Sequence, residues 1–313
     1  MKKLLIISFT ALLAATMITG CASKPKSSAK AGKESKKRIT YVSADGFSKN
    51  LYEVVTIPVA DKDSAFTKAS EENPIDLMAF YISQTETTYA RWYEVCIWAT
   101  ENGYTFDNTG REGSDGKDGE PPATLNLPVT SISWRDALVW CNAASEKEGL
   151  TPVYRYNGEV LRESDGEKPG EGKAENAIID ENANGYRLPT VAEWEFAARG
   201  GDPTSENWAK PYAGTDTATS VAWCDSNSDG KAHAVQKKAE NPFGVYDMCG
   251  NVWEWCYDAT TNSQMRRTMC GGSYRKNAEN VTVSTRDYAP VSRKYDDVGF
   301  RVVKFALSAR DAK

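Results

Sequence analysis

The chain has 313 residues, with 38 Lys and Arg against 43 Asp and Glu and a single histidine, His233. Its formal net charge is −5, and the first 38 residues carry +8 of basic excess, which leaves −13 on the remainder and excludes a nucleic-acid phosphate backbone as the natural partner. One histidine also excludes a histidine metal cluster and a Ser-His-Asp triad.

The chain opens "MKKLLIISFTALLAATMITGC", two lysines and an apolar run ending in small residues before Cys21. Residues 1–20 read as a secretory signal, too short and wrongly flanked for a spanning helix. A cysteine after Gly20 resembles the bacterial lipobox, which makes Cys21 a lipidated N-terminus anchored by several acyl chains; a chance cysteine behind an ordinary signal is the alternative. Residues 22–38 hold no large apolar side chain, so 21–40 is expected to be a flexible basic tether beside anionic lipid headgroups. Residues 41–313 then read as one domain.

Three helices follow from spacing. In "TTYARWYEVCIWATENG" Trp92, Val95, Cys96 and Ala99 fall at i, i+3, i+4 and i+7, with Gly103 placed to end the helix. In "SWRDALVWCNAASEKEG" Ser133 caps, Asp136 suits the first turn and Ala137, Trp140, Cys141 and Ala144 repeat the stripe. In "PTVAEWEFAARGG" Thr190 and Glu193 form a capping box. All three are expected to be amphipathic. The segments 104–127 and 151–185, rich in Gly, Glu and Asp, read as surface insertions. Short aromatic and β-branched runs between turn residues fill the rest, which gives an α+β class with much irregular structure.

Beyond Cys21 there are six cysteines, Cys96, Cys141, Cys224, Cys249, Cys256 and Cys270. An even number in an exported chain permits disulfides, while the apolar helical positions of Cys96 and Cys141 suit buried thiols equally well.

Near the C-terminus, "GGSYRKNAENVTVSTRDYAPVSRKYDDVGFR" (residues 271–301) has a rigid frame around mixed contents. Gly271, Gly272, Ser273, Ala278, Arg286, Pro290, Arg293, Gly299, Phe300 and Arg301 suit a tortuous path held by glycines, a proline and buried arginines. Between them stand Arg275, Lys276, Asn277, Glu279, Asn280, Thr285, Asp287, Tyr288, Ala289, Val291, Ser292, Lys294, Tyr295 and Asp296, without periodicity and rich in the residue types of recognition loops. The adjacent acids Asp296 and Asp297 read as solvated, not as an acid-base pair.

With "NGYRLPTVAEWEFAARGG" (184–201) and "NPFGVYDMCGNVWEWCYD" (241–258), this "GGSY…GFRVV" segment resembles the formylglycine-generating-enzyme, or sulfatase-modifying-factor, family over roughly residues 75–305. The resemblance implies a C-type lectin fold. It also implies, for catalytic members, a Cu(I)-binding cysteine pair after GGS-aromatic, where this chain has Lys276 and Val281. A non-catalytic protein without a catalytic cofactor is therefore expected. The family's calcium implies ligands at Asp247 and Glu254 by side chain and at Gly250 and Val252 by carbonyl; the alternative is that both acids only hold backbone amides or an arginine. A second family calcium position near "WCDSNSDGK" matches poorly. The frame-and-contents pattern resembles the variable proteins diversified by retroelements, treponemal lipoproteins among them. That resemblance implies a monomeric, surface-exposed outer-membrane lipoprotein binding a protein or glycan through residues 271–301, with an envelope structural or assembly lipoprotein as the alternative and a residual enzyme as a third.

Overall fold

In the computed structural model, the described residues are 41–42, 47–50, 64–65, 77–78, 80–164 and 172–306. The signal, Cys21 and the tether lie outside them. Elements are numbered in chain order; β9 (Ala222–Trp223) and β10 (Cys249–Gly250) form a short parallel pair of their own.

Each predicted helix forms where its cap places it. Helix α1, Tyr89–Glu101, starts behind Thr88, whose hydroxyl accepts from Arg91 N. Helix α2, Trp134–Lys147, and helix α3, Val191–Ala198, both carry full capping boxes, Ser133 with Asp136 and Thr190 with Glu193. The expectation of amphipathicity holds only for α1. Helix α2 is buried from Trp134 to Ser145 and α3 everywhere except Ala192, because each is enclosed by loops as well as by strands. The C-terminal carbonyls of α3 at Ala197 and Ala198 accept from Asn241 Nδ2, so a loop distant in sequence closes that helix.

Short strands tie the ends of the domain together. A four-stranded sheet runs β1 (Tyr41–Val42), β2 (Phe47–Asn50), β3 (Phe80–Ser83) and β15 (Val303–Phe305), so the C-terminal strand pairs with an early one. The second, which carries the site, has the order β13 (Arg286–Pro290), β12 (Ser263–Cys270), β11 (Trp253–Thr260), β14 (Val298–Gly299).

The two segments read as surface insertions keep many exposed side chains, as expected, but among the described residues each also pairs into the body. In 104–127, β4 (Arg111–Glu112) pairs with β5 (Val129–Thr130), and Glu112 accepts from Ala123 N and Thr124 N. In 151–185, β6 (Tyr154–Tyr156) sits between β7 (Glu159–Val160) and β8 (Ile178–Ile179), with Val153, Tyr154 and Leu161 buried. Polar composition misleads there because few apolar side chains suffice once backbone and carboxylates supply the bonds.

Among the described residues, beside two small apolar clusters around Val153 and Tyr274, two large ones form most of the core. In one, Trp92 of α1 stacks on Trp140 of α2 at 6.0 Å, and the Phe300 ring meets both edge-on at 6.0 and 5.3 Å. The other gathers Phe80, Trp194, Phe196, Trp208 and Phe243 around α3.

Candidate ligand-binding surface

The frame of residues 271–301 is held from beneath by buried ion pairs. Arg301 is fully buried and forks onto Glu254, Nε to Oε2 at 2.6 Å and Nη2 to Oε1 at 2.7 Å, while its remaining protons reach the carbonyls of Ser83 and Tyr246. Trp194 Nε1 donates to the same Glu254 Oε2 at 2.6 Å, linking α3 to the turn. Glu195, also fully buried, accepts from Ser64 Oγ, Ala65 N, Arg199 Nε and Arg286 Nη2. One carboxylate thereby fixes the start of β13 to α3. Gly272, at φ 81°, has no room for a side chain, since a Cβ there would lie 2.4 Å from Asn280 O.

On this frame the predicted contents separate by exposure. Arg275, Asn277, Glu279, Asn280, Asp287, Tyr288, Ser292, Lys294 and Tyr295 are exposed, and Lys276, Thr285 and Asp296 half-buried. Ala289 and Val291 are buried at 3% and 1%, among the core around Trp92, and are corrected from surface contacts to core. Strand β13 turns Ala289 inward, and Val291, just past its end and bonded through its N–H to Met265 O, follows it; a short unpaired sequence does not reveal this. Arg293, expected among the buried arginines, is exposed, and Arg286 is half-buried but paired with the buried Glu195, which leaves Arg301 as the fully buried arginine of this segment. Asp297 is not simply solvated: its Oδ2 accepts from Ser273 Oγ and its carbonyl from Trp253 N.

Contacts join only part of the exposed set. Arg275 pairs with Asp296 at 2.7 Å, and Lys294 reaches Asp118 at 3.0 Å, which also holds Arg111 at 2.7 Å. Those two cations keep the Asp118 carboxyl below its usual range despite some burial. Arg111 and Asp118 thus extend the surface into the 104–127 segment; sequence reading missed them because they lie more than 150 residues away in the chain. Tyr288 belongs elsewhere, lining an open groove of about 560 Å³ with Arg266, Thr268 and Asp258.

At the expected thiolate positions, Val281 is fully buried and Lys276 holds its ammonium 5.8 Å from the Trp253 ring. The six cysteines are free thiols. Cys256 and Cys270 approach to 3.6 Å, both buried, a pair their sequence positions did not suggest. Burial and the neighbouring Cys270 push the Cys256 thiol well up, which disfavours the thiolate that reacts or binds metal.

Beneath the "GNVWEW" turn, three buried carboxylates, Glu86, Asp247 and Glu254, face one arginine. Glu86, absent from the sequence expectation, accepts from Asn251 Nδ2 and Val252 N. Burial, then Asp247 and Glu254, push its carboxyl well above the usual range. Burial pushes Asp247 up to about 6. Asp247 Oδ2 accepts from Gln236 N, but buried Oδ1 has no hydrogen-bond partner. That orphan oxygen and the excess negative charge fit a hard cation. Glu254 is already engaged by Arg301 and Trp194, and among the described residues no group of three or more His, Cys, Asp or Glu side chains converges on one point, so carbonyls would have to complete any shell.

Short strands and three capped helices, threaded by long loops and closed by a strand from each end of the domain, define a C-type-lectin-like architecture of the formylglycine-generating-enzyme kind. The model of the sulfatase-modifying factor enzyme 1-like domain matches residues 46–306, and the chain belongs to that family. The solved structure of Treponema denticola variable protein 1 has a TM-score of 0.61 and 28% identity, covering 86% of this chain and 99% of that one. The chaperone protein LppX of Paenibacillus barcinonensis is 30% identical over 257 residues, 75% of this chain and 83% of that protein. The inactive C-alpha-formylglycine-generating enzyme 2 of Bos taurus is 32% identical over 198 residues, 56% of this chain and half the length of that protein. The family therefore includes inactive members.

Proposed function

We propose that this protein is a non-catalytic lipoprotein, anchored in the envelope through Cys21, that displays a ligand-binding surface for a protein or glycan. The observation that carries the reading is the division within residues 271–301. The frame is held by buried carboxylates, Glu254 on buried Arg301 and Glu195 on half-buried Arg286, whereas Arg275, Asn277, Glu279, Lys294 and Tyr295 face solvent and hold no core together. Arg275 and Lys294 against Glu279 and Asp296 leave this surface with balanced charge, which suits a mixed polar ligand better than a polyanion. Likeness to a protein named as variable supports variation on this scaffold, which we place at the exposed residues of 271–301, and Lys276 and Val281 support the absence of copper-thiolate oxidase chemistry.

Calcium is part of the proposal. Asp247 Oδ1, the remaining capacity of Glu254 and the carbonyls of Gly250 and Val252 would hold it, and its charge would balance the buried acids beneath the display loops.

Likeness to the chaperone LppX favours a second reading, an assembly role in the envelope. The test is binding of the mature lipid-free chain to a glycan array and an array of cell-surface proteins, repeated with Arg275→Ala/Tyr295→Ala. Loss of captured ligands with unchanged melting supports display. Capture that survives this double change rules out the surface assigned here and leaves the assembly reading.

A further inference from the structure

Among the described residues, strand β13 is the outer edge of its sheet, and an edge strand presents a row of peptide groups that another strand can pair with. Its register on β12 decides which groups those are. Gly271 N donates to Thr285 O and Val291 N to Met265 O, so the intervening pairs Met269 with Asp287 and Arg267 with Ala289 turn their peptide groups toward each other. Arg286, Tyr288 and Pro290 turn theirs outward.

Two of those three residues are already occupied. Tyr288 N donates to Asp287 Oδ1 at 2.7 Å, and Tyr288 O accepts from Arg266 Nη2 at 2.5 Å. Pro290 has no N–H, and its carbonyl accepts from Arg293 N at 3.0 Å. Only Arg286, at the start of the strand, is left to offer an outward pair, and one residue cannot begin a ladder.

We infer that Asp287 and Arg266 are guards that close the β13 edge to strand addition, and that the partner they exclude is the β13 of a second copy of this chain. An antiparallel β13–β13 pairing centred on Asp287 is self-complementary, sets Tyr288 of each copy opposite Arg286 of the other, and needs both Tyr288 peptide groups. Asp287 is then held to its task by the backbone beside it instead of being free for ligand contact, unlike Lys294 or Tyr295. The inference stands on the sheet edge alone and does not depend on the proposed function.

The test is Asp287→Ala/Arg266→Ala in the mature lipid-free chain, followed by sedimentation velocity over a hundredfold range of concentration. Concentration-dependent dimerisation of the double variant, absent from the unaltered chain and from Ser292→Ala, is expected. A double variant that sediments as the unaltered chain does overturns the inference. Amide exchange at Tyr288 gives a reading independent of assembly. Protection in the unaltered chain should fall about tenfold in Asp287→Ala and persist in Asp287→Asn, which keeps an acceptor oxygen. Equal exchange in all three overturns the guarding role of Asp287.

Discussion

Changing Phe300 to Ala removes a ring that is 0% exposed and sits edge-on to both Trp92 and Trp140. Those tryptophans stack on each other across α1 and α2, so neither can tilt into the space without losing its own partner. A site that collapses poorly belongs at the upper part of the range for Phe→Ala, about 3–5 kcal/mol. In a domain of this size each kcal/mol shifts melting by about 2–4 °C, so a loss of roughly 6–20 °C is expected. Tyr295 and Tyr288 are 40% and 44% exposed, and their alanine variants should each stay within about 0.5 kcal/mol of the unaltered chain. Denaturant unfolding of the three variants with a shared m-value measures this. If Tyr295→Ala or Tyr288→Ala costs as much as Phe300→Ala, those tyrosines are core and the separation of frame from display is wrong.

In chelator, the Asp247 carboxyl at about 6 keeps a proton that the unfolded chain, at about 4, has released. Stability should therefore fall by about 1 kcal/mol from pH 5 to pH 7. Calcium should restore it at pH 7; Asp247→Asn should lose the calcium response and the Asp247 share of the fall, leaving only the part that buried Glu86 contributes; identical melting with and without calcium removes the ion from the account. Incubated with Cu(I), oxygen, reductant and a sulfatase-type cysteine peptide, the protein should form no formylglycine above a protein-free control by mass spectrometry. Cys21→Ser should abolish fatty-acid labelling and move the protein out of the detergent phase; unchanged partitioning would place the anchor elsewhere.

Local signals in the sequence are those the structure repeats most faithfully. Thr190 with Glu193 and Ser133 with Asp136 are complete within four residues, and each starts the helix it announces. Burial of α2 on all sides was not legible, because its polar side chains find partners far away: Asn142 bonds Tyr154 and Leu161, and Arg135 bonds Glu175. The ties of Glu195 to Arg286 and of Glu254 to Arg301 span 91 and 47 residues. They are invisible to any windowed reading, although the Gly-Phe-Arg motif marked one end of the second. Ala289 and Val291 were misplaced for a related reason. Which face of β13 is inward depends on its pairing with β12, and a five-residue strand broken by Pro290 carries too little alternation to show it.

The central claim is that a buried frame carries a surface free to change, and deep sequencing of the 3′ end of the gene across a population tests it most directly. Substitutions are predicted to concentrate in the codons of exposed residues such as Arg275, Asn277, Lys294 and Tyr295, to be confined to small apolar residues at Ala289 and Val291, and to spare Gly272, Phe300 and Arg301. Substitutions spread evenly between exposed and buried positions, or none at all in the exposed set, would contradict the account.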